Sequence, residues 1–382
     1  MKVKKLVAKV IKDSRGNPTI EVTVNKKFSA SCPSGASTGR NEVAAFPPGG
    51  VQVAVDFLNG WEGFKEMSFE EFEDLSQVEV IFPDVGGNSI VALQIAILRA
   101  MSDNDVWRFL NPKATLLPIP LGNCVGGGAH TKFSSTDFQE FLLLPRAKVL
   151  NDAIFANNYI YNHVGKQLGA KQKTDEGAWS VYSDSASVLQ VLKDACDYAY
   201  DELGVKVDLG VDVAASRLWH NAVYHYKFFS KATRARMVPK AEQIDFIAEL
   251  VKEFDLRYLE DPMHEDDFDG FKSFLMFDKL YVCGDDLVCT NIERLRKALG
   301  RVNAVIIKPN QVGSVVKAKE VVDFAKANDV TPVISHRSGE TMDNWLSHLA
   351  VGWQIPIIKC GIFGSERVAK LKELKNIQAQ LK

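Results

Sequence analysis

VDLGVD (residues 207–212), LRYLE (256–260), KLYVCGD (279–285), AVIIK (304–308), PVISH (332–336) and IPIIK (355–359) are six short apolar runs, each closed by a charged or polar side chain. Helix-like segments lie between several of them: AEQIDFIAELVKEF (241–254), NIERLRKAL (291–299), SVVKAKEVVDFAKAND (314–329) and NWLSHLAVGW (344–353). The runs recur at the interval of about 30 residues that a strand–helix unit requires. The one longer gap holds an extra strand-like piece, AVYHYKFF (222–229). Residues 114–382 therefore read as a barrel of alternating strands and helices, which typically takes ~250 residues. In such barrels the chemistry sits at the C-terminal ends of the strands. Here those ends carry Asp212, Glu260, Asp285, Lys308, His336 and Lys359. An open doubly wound sheet shares this grammar and is the competing architecture.

Upstream the pattern changes. VKKLVAKVIKDSRGNPTIEVTVN (3–25) alternates around the turn residues Asp13–Pro18 and predicts a β-hairpin. SASCPSGASTGRNEVAAFPPGG (29–50) has little periodicity and reads as a long loop of the functional kind. Helical spacing takes over afterwards, clearest in NSIVALQIAILRAMSDNDVWRFL (88–110). Residues 1–113 thus read as a small α+β domain, with a boundary at Asn111-Pro112-Lys113.

Composition removes other classes. The chain has 382 residues, 46% hydrophobic and 25% charged, which is a globular profile. Its net charge of −2 and the lack of a basic tract disfavour nucleic acid as a partner. No apolar run approaches the ~18 residues of a spanning helix, so no membrane role is expected. Lys9 and Lys12 interrupt any signal-peptide core. The six cysteines are scattered without a CxxC pair, which predicts free buried thiols in a reducing cytoplasm.

The strand ends carry a specific chemistry. Asp212, Glu260 and Asp285 form a hard-oxygen set suited to Mg²⁺, and three carboxylates at one mouth repel each other unless a cation joins them. Exposed strand-end acids are the plainer alternative. A lysine facing such a centre can lose its proton and act as a base, which makes Lys308 and Lys359 a candidate base and its anion-binding partner. Salt-bridged lysines are the plainer alternative. In His336-Arg337-Ser338-Gly339-Glu340 the arginine fork and serine hydroxyl suit an anion; a loop-stabilising ion pair is equally compatible. Gly126-Gly127-Gly128-Ala129-His130 is not a nucleotide loop, but its glycines would let His130 swing over a ligand. Glu140 and Glu176, taken singly, would be ordinary surface acids.

In order along the chain these residues resemble the enolase family. DSRGNPTIEV (13–22) is similar to its N-terminal hairpin and SGASTG (34–39) to its mobile metal loop. GGAH (127–130), QEF (139–141), DEG (175–177), VDVAAS (211–216), EDP (260–262), GDDL (284–287), KPNQVG (308–313), SHRSGET (335–341) and SER (365–367) follow in family order. The resemblance implies a small α+β domain capping an eight-stranded barrel whose first units depart from strict β/α alternation. It implies a homodimer or larger and two Mg²⁺, with Asp212, Glu260 and Asp285 on the first and Ser37 closing onto the second. The enolase superfamily is a standard case of a Lys or His base working with one or two Mg²⁺. Lys308 would then take the C2 proton of 2-phosphoglycerate. Glu176 would protonate the leaving 3-hydroxyl, with Glu140 beside it. Lys359 would bind the carboxylate or leaving-group side. Arg337 and Ser338 would hold the phosphate with help from His336, a further catalytic group, and His130 would close over the phosphoryl end.

The departures lie in the closing loops. Arg40-Asn41-Glu42-Val43 stands where the family usually has X-His-Glu-Ala, Ala178-Trp179 for Gly-Phe, Thr131-Lys132 for Ala-Gly, and Gly364 for an arginine. Three functions remain open on the sequence: dehydration of 2-phosphoglycerate, action of a paralogue on another phosphorylated or carboxylated acid, and a weakly active binding protein.

Overall fold

The structure is a computed structural model that describes residues 1–35, 39–131 and 135–381. Ser37 lies outside the described residues.

The N-terminal hairpin forms as the alternation predicts. Strands β1 (Leu6–Lys12) and β2 (Pro18–Val24) pair antiparallel from Leu6 opposite Val24 to Lys12 opposite Pro18. Asp13 makes the turn: its Oδ1 accepts the backbone N–H groups of Arg15 at 2.9 Å and Asn17 at 2.8 Å. A third strand, β3 (Phe28–Ser31), opens what the sequence reads as loop. Its four residues are too few to show a period. Helices α1 (Val51–Gly60) and α2 (Gly87–Met101) pack against this sheet. From Gly87 to Leu98 every residue of α2 is buried, because the helix lies between the sheet and barrel segments.

The larger part is a closed barrel. Its strands are β4 (Ile119–Gly126), β5 (Glu140–Pro145), β6 (Val207–Asp212), β7 (Tyr258–Glu260), β8 (Tyr281–Gly284), β9 (Ala304–Ile307), β10 (Thr331–Ser335) and β11 (Ile357–Lys359). They neighbour one another in that order, and β11 pairs with β4 through Ile357 opposite Ile119. That last pairing closes the ring and rules out the open sheet. Six strands coincide with the six runs that open the sequence reading. The first two were not singled out there, since no charged residue closes them.

The first units do depart from strict alternation. Strand β5 runs antiparallel to both β4 and β6, whereas the remaining neighbours are parallel. The piece around AVYHYKFF becomes a strand (Val223–Tyr226) of a separate three-stranded antiparallel sheet. Leu121, Leu142, Leu144, Tyr258, Cys283, Ala304, Ile306, Val333 and Ile357 fill the barrel interior as a cluster of their own. All six cysteines are free and buried. Among the described residues no helix is long and apolar enough to cross a membrane.

The small domain reaches the barrel mouth through backbone contacts. Ser34 and Gly339 bridge, and the Ser14 N–H donates to the Glu340 carbonyl at 2.7 Å. At Gly339 a Cβ would lie 2.1 Å from Asp13 Oδ2 and 2.8 Å from the Ser34 carbonyl oxygen, so only glycine permits the approach.

Candidate active site

Parallel strands all deliver their C-terminal residues to one end, so Asp212, Glu260, Asp285, Lys308, His336 and Lys359 converge. Glu140 joins them by the opposite route. It begins β5, and because β5 is reversed, its first residue lies opposite Asp212. His130 arrives on a short turn (Gly128–His130), and Glu176 on the loop between two-residue strands at 172–173 and 179–180. All of these side chains except the fully buried Glu260 line one cavity, together with Arg337 and Ser338. Its free volume is only ≈ 30 Å³, room for one or two waters. Ion pairs fill the rest.

Lys359 lies at the centre. Its Nζ is 2.8 Å from Glu260 Oε1, 3.0 Å from Asp212 Oδ2 and 3.1 Å from Glu140 Oε1. Burial opposes its charge, but Asp212, Glu140 and Glu260 outweigh that and raise its pKa well above the ordinary lysine value. The ammonium therefore occupies a nest of carboxylate oxygens, which is the donor set a hard cation takes. Asp285 stands apart from this nest. Its Oδ2 accepts from Lys308 Nζ at 2.5 Å and its Oδ1 from Gln311 Nε2 at 2.8 Å. Among the described residues, two groups of three offer ligand atoms all within 4.8 Å of one another: Asp261, Asp285 and Asp286, and His130, Glu140 and Glu176. Asp212 and Glu260 belong to neither.

Lys308 differs from the simple expectation of a lysine poised to lose its proton. Burial and the nearby Arg337 and Lys359 disfavour its charge, yet Asp285 prevails and the pKa is raised. In the ion-free protein Lys308 is held as an ammonium. Asp285, although buried, is correspondingly pushed below the usual carboxylate range. Glu260 goes the other way, raised well above it by burial and by Asp212.

Across the mouth the protons are arranged differently. Burial raises Glu140 to about 8. His130 is also buried, but Glu176, Asp175 and Glu140 raise it to about 9. Its Nδ1 is 2.9 Å from Asp175 Oδ1, and its Nε2 is 3.7 Å from Glu176 Oε1 and 3.9 Å from Glu140 Oε1. Glu176 is depressed: His130, His336, Arg367 and Lys359 together overcome its burial. The Asn123 amide donates to its Oε2 at 3.1 Å. His336 is held neutral by burial, and neither ring nitrogen has a hydrogen-bond partner among the described residues.

Arg337 forms a buried two-pronged pair with Glu42, at 2.9 Å from Nη1 and at 2.9 and 3.2 Å from Nη2. Glu42 Oε1 also accepts the Gly39 N–H at 3.0 Å. In the sequence Glu42 belongs to an altered loop and carries no expected role. Nor does Asp261, which accepts the N–H groups of Asp285 at 3.0 Å and Asp286 at 2.7 Å. Its place in the EDP motif is the signal that could have found it. Ala214 and Asp261, just beyond the strand ends, hold φ of 47° and 42°, a strained region for residues other than glycine and common at active sites.

The description "Enolase, C-terminal TIM barrel domain" matches residues 114–382, and "Enolase, N-terminal domain" matches residues 3–61. A protein named Enolase from Methanothermobacter thermautotrophicus is 39% identical, over 97% of this chain and 95% of its own length. Enolases of Methanosphaera stadtmanae and Natronomonas pharaonis are 38% and 37% identical over 97% of this chain, with 95% and 97% of their own lengths covered. The barrel agrees with the first description, and the chain belongs to the enolase family.

Proposed function

We propose that this protein dehydrates 2-phospho-D-glycerate to phosphoenolpyruvate, in a Mg²⁺-dependent step of glycolysis and gluconeogenesis. It is a lyase, a phosphopyruvate hydratase. The observation that carries the reading is the placement of a half-buried lysine and a buried carboxyl cluster on opposing strands of one mouth. Lys308 follows β9 and Glu140 begins β5, four strands around an eight-strand ring.

The cation site fits the chain. An ammonium is already surrounded by oxygens of Glu260, Asp212 and Glu140, and Asp285 lies within reach of the same cavity. Asp212, Glu260 and Asp285 would hold one Mg²⁺ and Ser37 would close onto a second. When bound, the two ions supply the positive charge that offsets the charge developing on the substrate carboxylate. Once Asp285 is engaged elsewhere, Lys308 loses the partner that keeps it protonated, and Arg337 and Lys359 press its pKa down. The neutral amine removes the C2 proton. The C3–O bond breaks as the double bond forms between C2 and C3, and the hydroxyl leaves as water with a proton from Glu176. Glu176 is ionised in the free protein. The carboxylate and phosphate of an entering substrate raise its pKa, and the His130 imidazolium and protonated Glu140 beside it are the proton source. Arg337 and Ser338 hold the phosphate, His336 donates to the substrate from its unpartnered ring, and Lys359, released from its nest, binds the carboxylate side.

A cap of residues 1–113 and a barrel of residues 114–382 belong to the same reading, supported by the barrel family description beginning at residue 114. So do a cytoplasmic location, in keeping with six free buried thiols, and a homodimer or larger assembly. Purified protein with Mg²⁺ and 2-phosphoglycerate should form phosphoenolpyruvate. Binding without turnover would sink the reading and favour a paralogue acting on another phosphorylated or carboxylated acid.

A further inference from the structure

Strand β7 is three residues long, and its period of two aims Tyr258 and Glu260 at the same inner face. Glu260 stands at the mouth. Tyr258 lies one layer below it, wholly buried in the barrel interior beside Cys283 and Ala304. Room for the ring comes from its neighbour on β6. Gly210, opposite Tyr258 on β6, has no side chain; a Cβ at that position would come within 2.7 Å of Tyr258 Cβ. The ring is thus held upright under the carboxylate.

The hydroxyl of Tyr258 donates to Glu260 Oε2 at 2.6 Å, while Oε1 accepts from Lys359, itself a lining residue of the mouth, at 2.8 Å. The two oxygens of this carboxylate are therefore divided between the ring below and the ammonium of the mouth. We propose that Tyr258 is a positioning residue that restricts Glu260 to a single oxygen toward the cation and so favours Mg²⁺ over Ca²⁺. The physical ground is the difference between the ions. Mg²⁺ demands a tight octahedron with one oxygen per carboxylate, whereas Ca²⁺ accepts six to eight oxygens and readily takes both oxygens of one carboxylate. With Oε2 tied down, a two-oxygen grip by Glu260 would break a buried hydrogen bond. Hydrogen-bond partners behind metal ligands typically control affinity by about 10- to 100-fold. The inference rests on the proposed Mg²⁺ role of Glu260.

The test is calorimetric titration of the full chain with Mg²⁺ alone and with Ca²⁺ alone, comparing wild type and Tyr258→Phe. The variant removes one oxygen and keeps the ring that packs the barrel, and its melting transition checks the fold. Mg²⁺ affinity is expected to fall about tenfold or more, with Ca²⁺ affinity unchanged or higher, so the preference ratio falls. Mg²⁺ affinity within twofold of wild type overturns the inference, as does an equal loss for both ions. Wild-type protein that binds no Mg²⁺ overturns instead the cation reading beneath it, a distinct result.

Discussion

The two sides of the mouth hold charge by different means. On the parallel side, from β6 to β11, each lysine is tied to carboxylates: Lys308 to Asp285, and Lys359 to Glu260 and Asp212. On the side of the reversed strand β5, Lys359 also reaches Glu140, at 3.1 Å, but protons carry more of the balance. Glu140 and His130 keep theirs at neutral pH, and Glu176 is left as the anion between two histidines. The first side is arranged to release a lysine when its partner carboxylate is taken. The second is a proton reservoir that an entering anion tips toward Glu176. A dehydration needs both, a base on one face of the substrate and an acid on the other.

Separating the two sides gives the largest expected effect. Lys308→Ala should lower turnover by about 10³–10⁴ and abolish exchange of the C2 proton with solvent deuterium, followed by NMR. Glu176→Gln should lose phosphoenolpyruvate formation by a similar factor yet keep the exchange. If both variants lose exchange equally, the division into a base side and an acid side fails.

The next effect concerns the anchor that joins the mouth to the N-terminal loop. Glu42 and Arg337 side chains are 6% and 4% exposed. Glu42→Gln leaves the guanidinium buried without its counter-charge and should cost about 3 kcal/mol in urea unfolding. A loss within experimental error would mean that Asn310, which accepts from Arg337 Nη1 at 3.1 Å, suffices.

The smallest effect is a pH dependence of the reservoir. Glu140 and His130 have folded-state pKa values of about 8 and about 9, above their unfolded values. At these two groups the folded protein thus binds more protons than the unfolded chain, and the stability they contribute falls as pH rises through these values. His130's contribution is full below about pH 6.5 and is lost as pH passes about 9. Urea unfolding without Mg²⁺ at pH 6, 7.5 and 9 should show the decline, and His130→Asn should flatten it. A decline of the same slope in that variant would count against the assignment.

Legibility differs between the two sides for a structural reason. A residue that closes an apolar run at a regular interval announces its place, since parallel strands share one direction. Asp212, Glu260, Asp285, Lys308, His336 and Lys359 were all readable in this way. Glu140 opens a run instead of closing one, and only the reversal of β5 brings it to the mouth. His130 and Glu176 come from loops without period: the glycines before His130 pointed to a ligand, and motif likeness alone singled out Glu176. Glu42 and Tyr258 carried no expected role: one keeps the family's glutamate in a loop that otherwise departs from it, the other reads as a core aromatic.

The sequence by itself determined the series of strand–helix units, the small domain before it and the identity of the groups at the strand ends, because strand period and spacing are local properties of the chain. Tertiary structure alone decided the closure of the ring and the side-chain pairings. Lys359 takes Glu260 from 99 residues away and Arg337 takes Glu42 from 295 residues away. Contacts so distant leave no pattern in the chain, and they set each group's protonation, since charge, burial and hydrogen bonding act through space and not along the sequence.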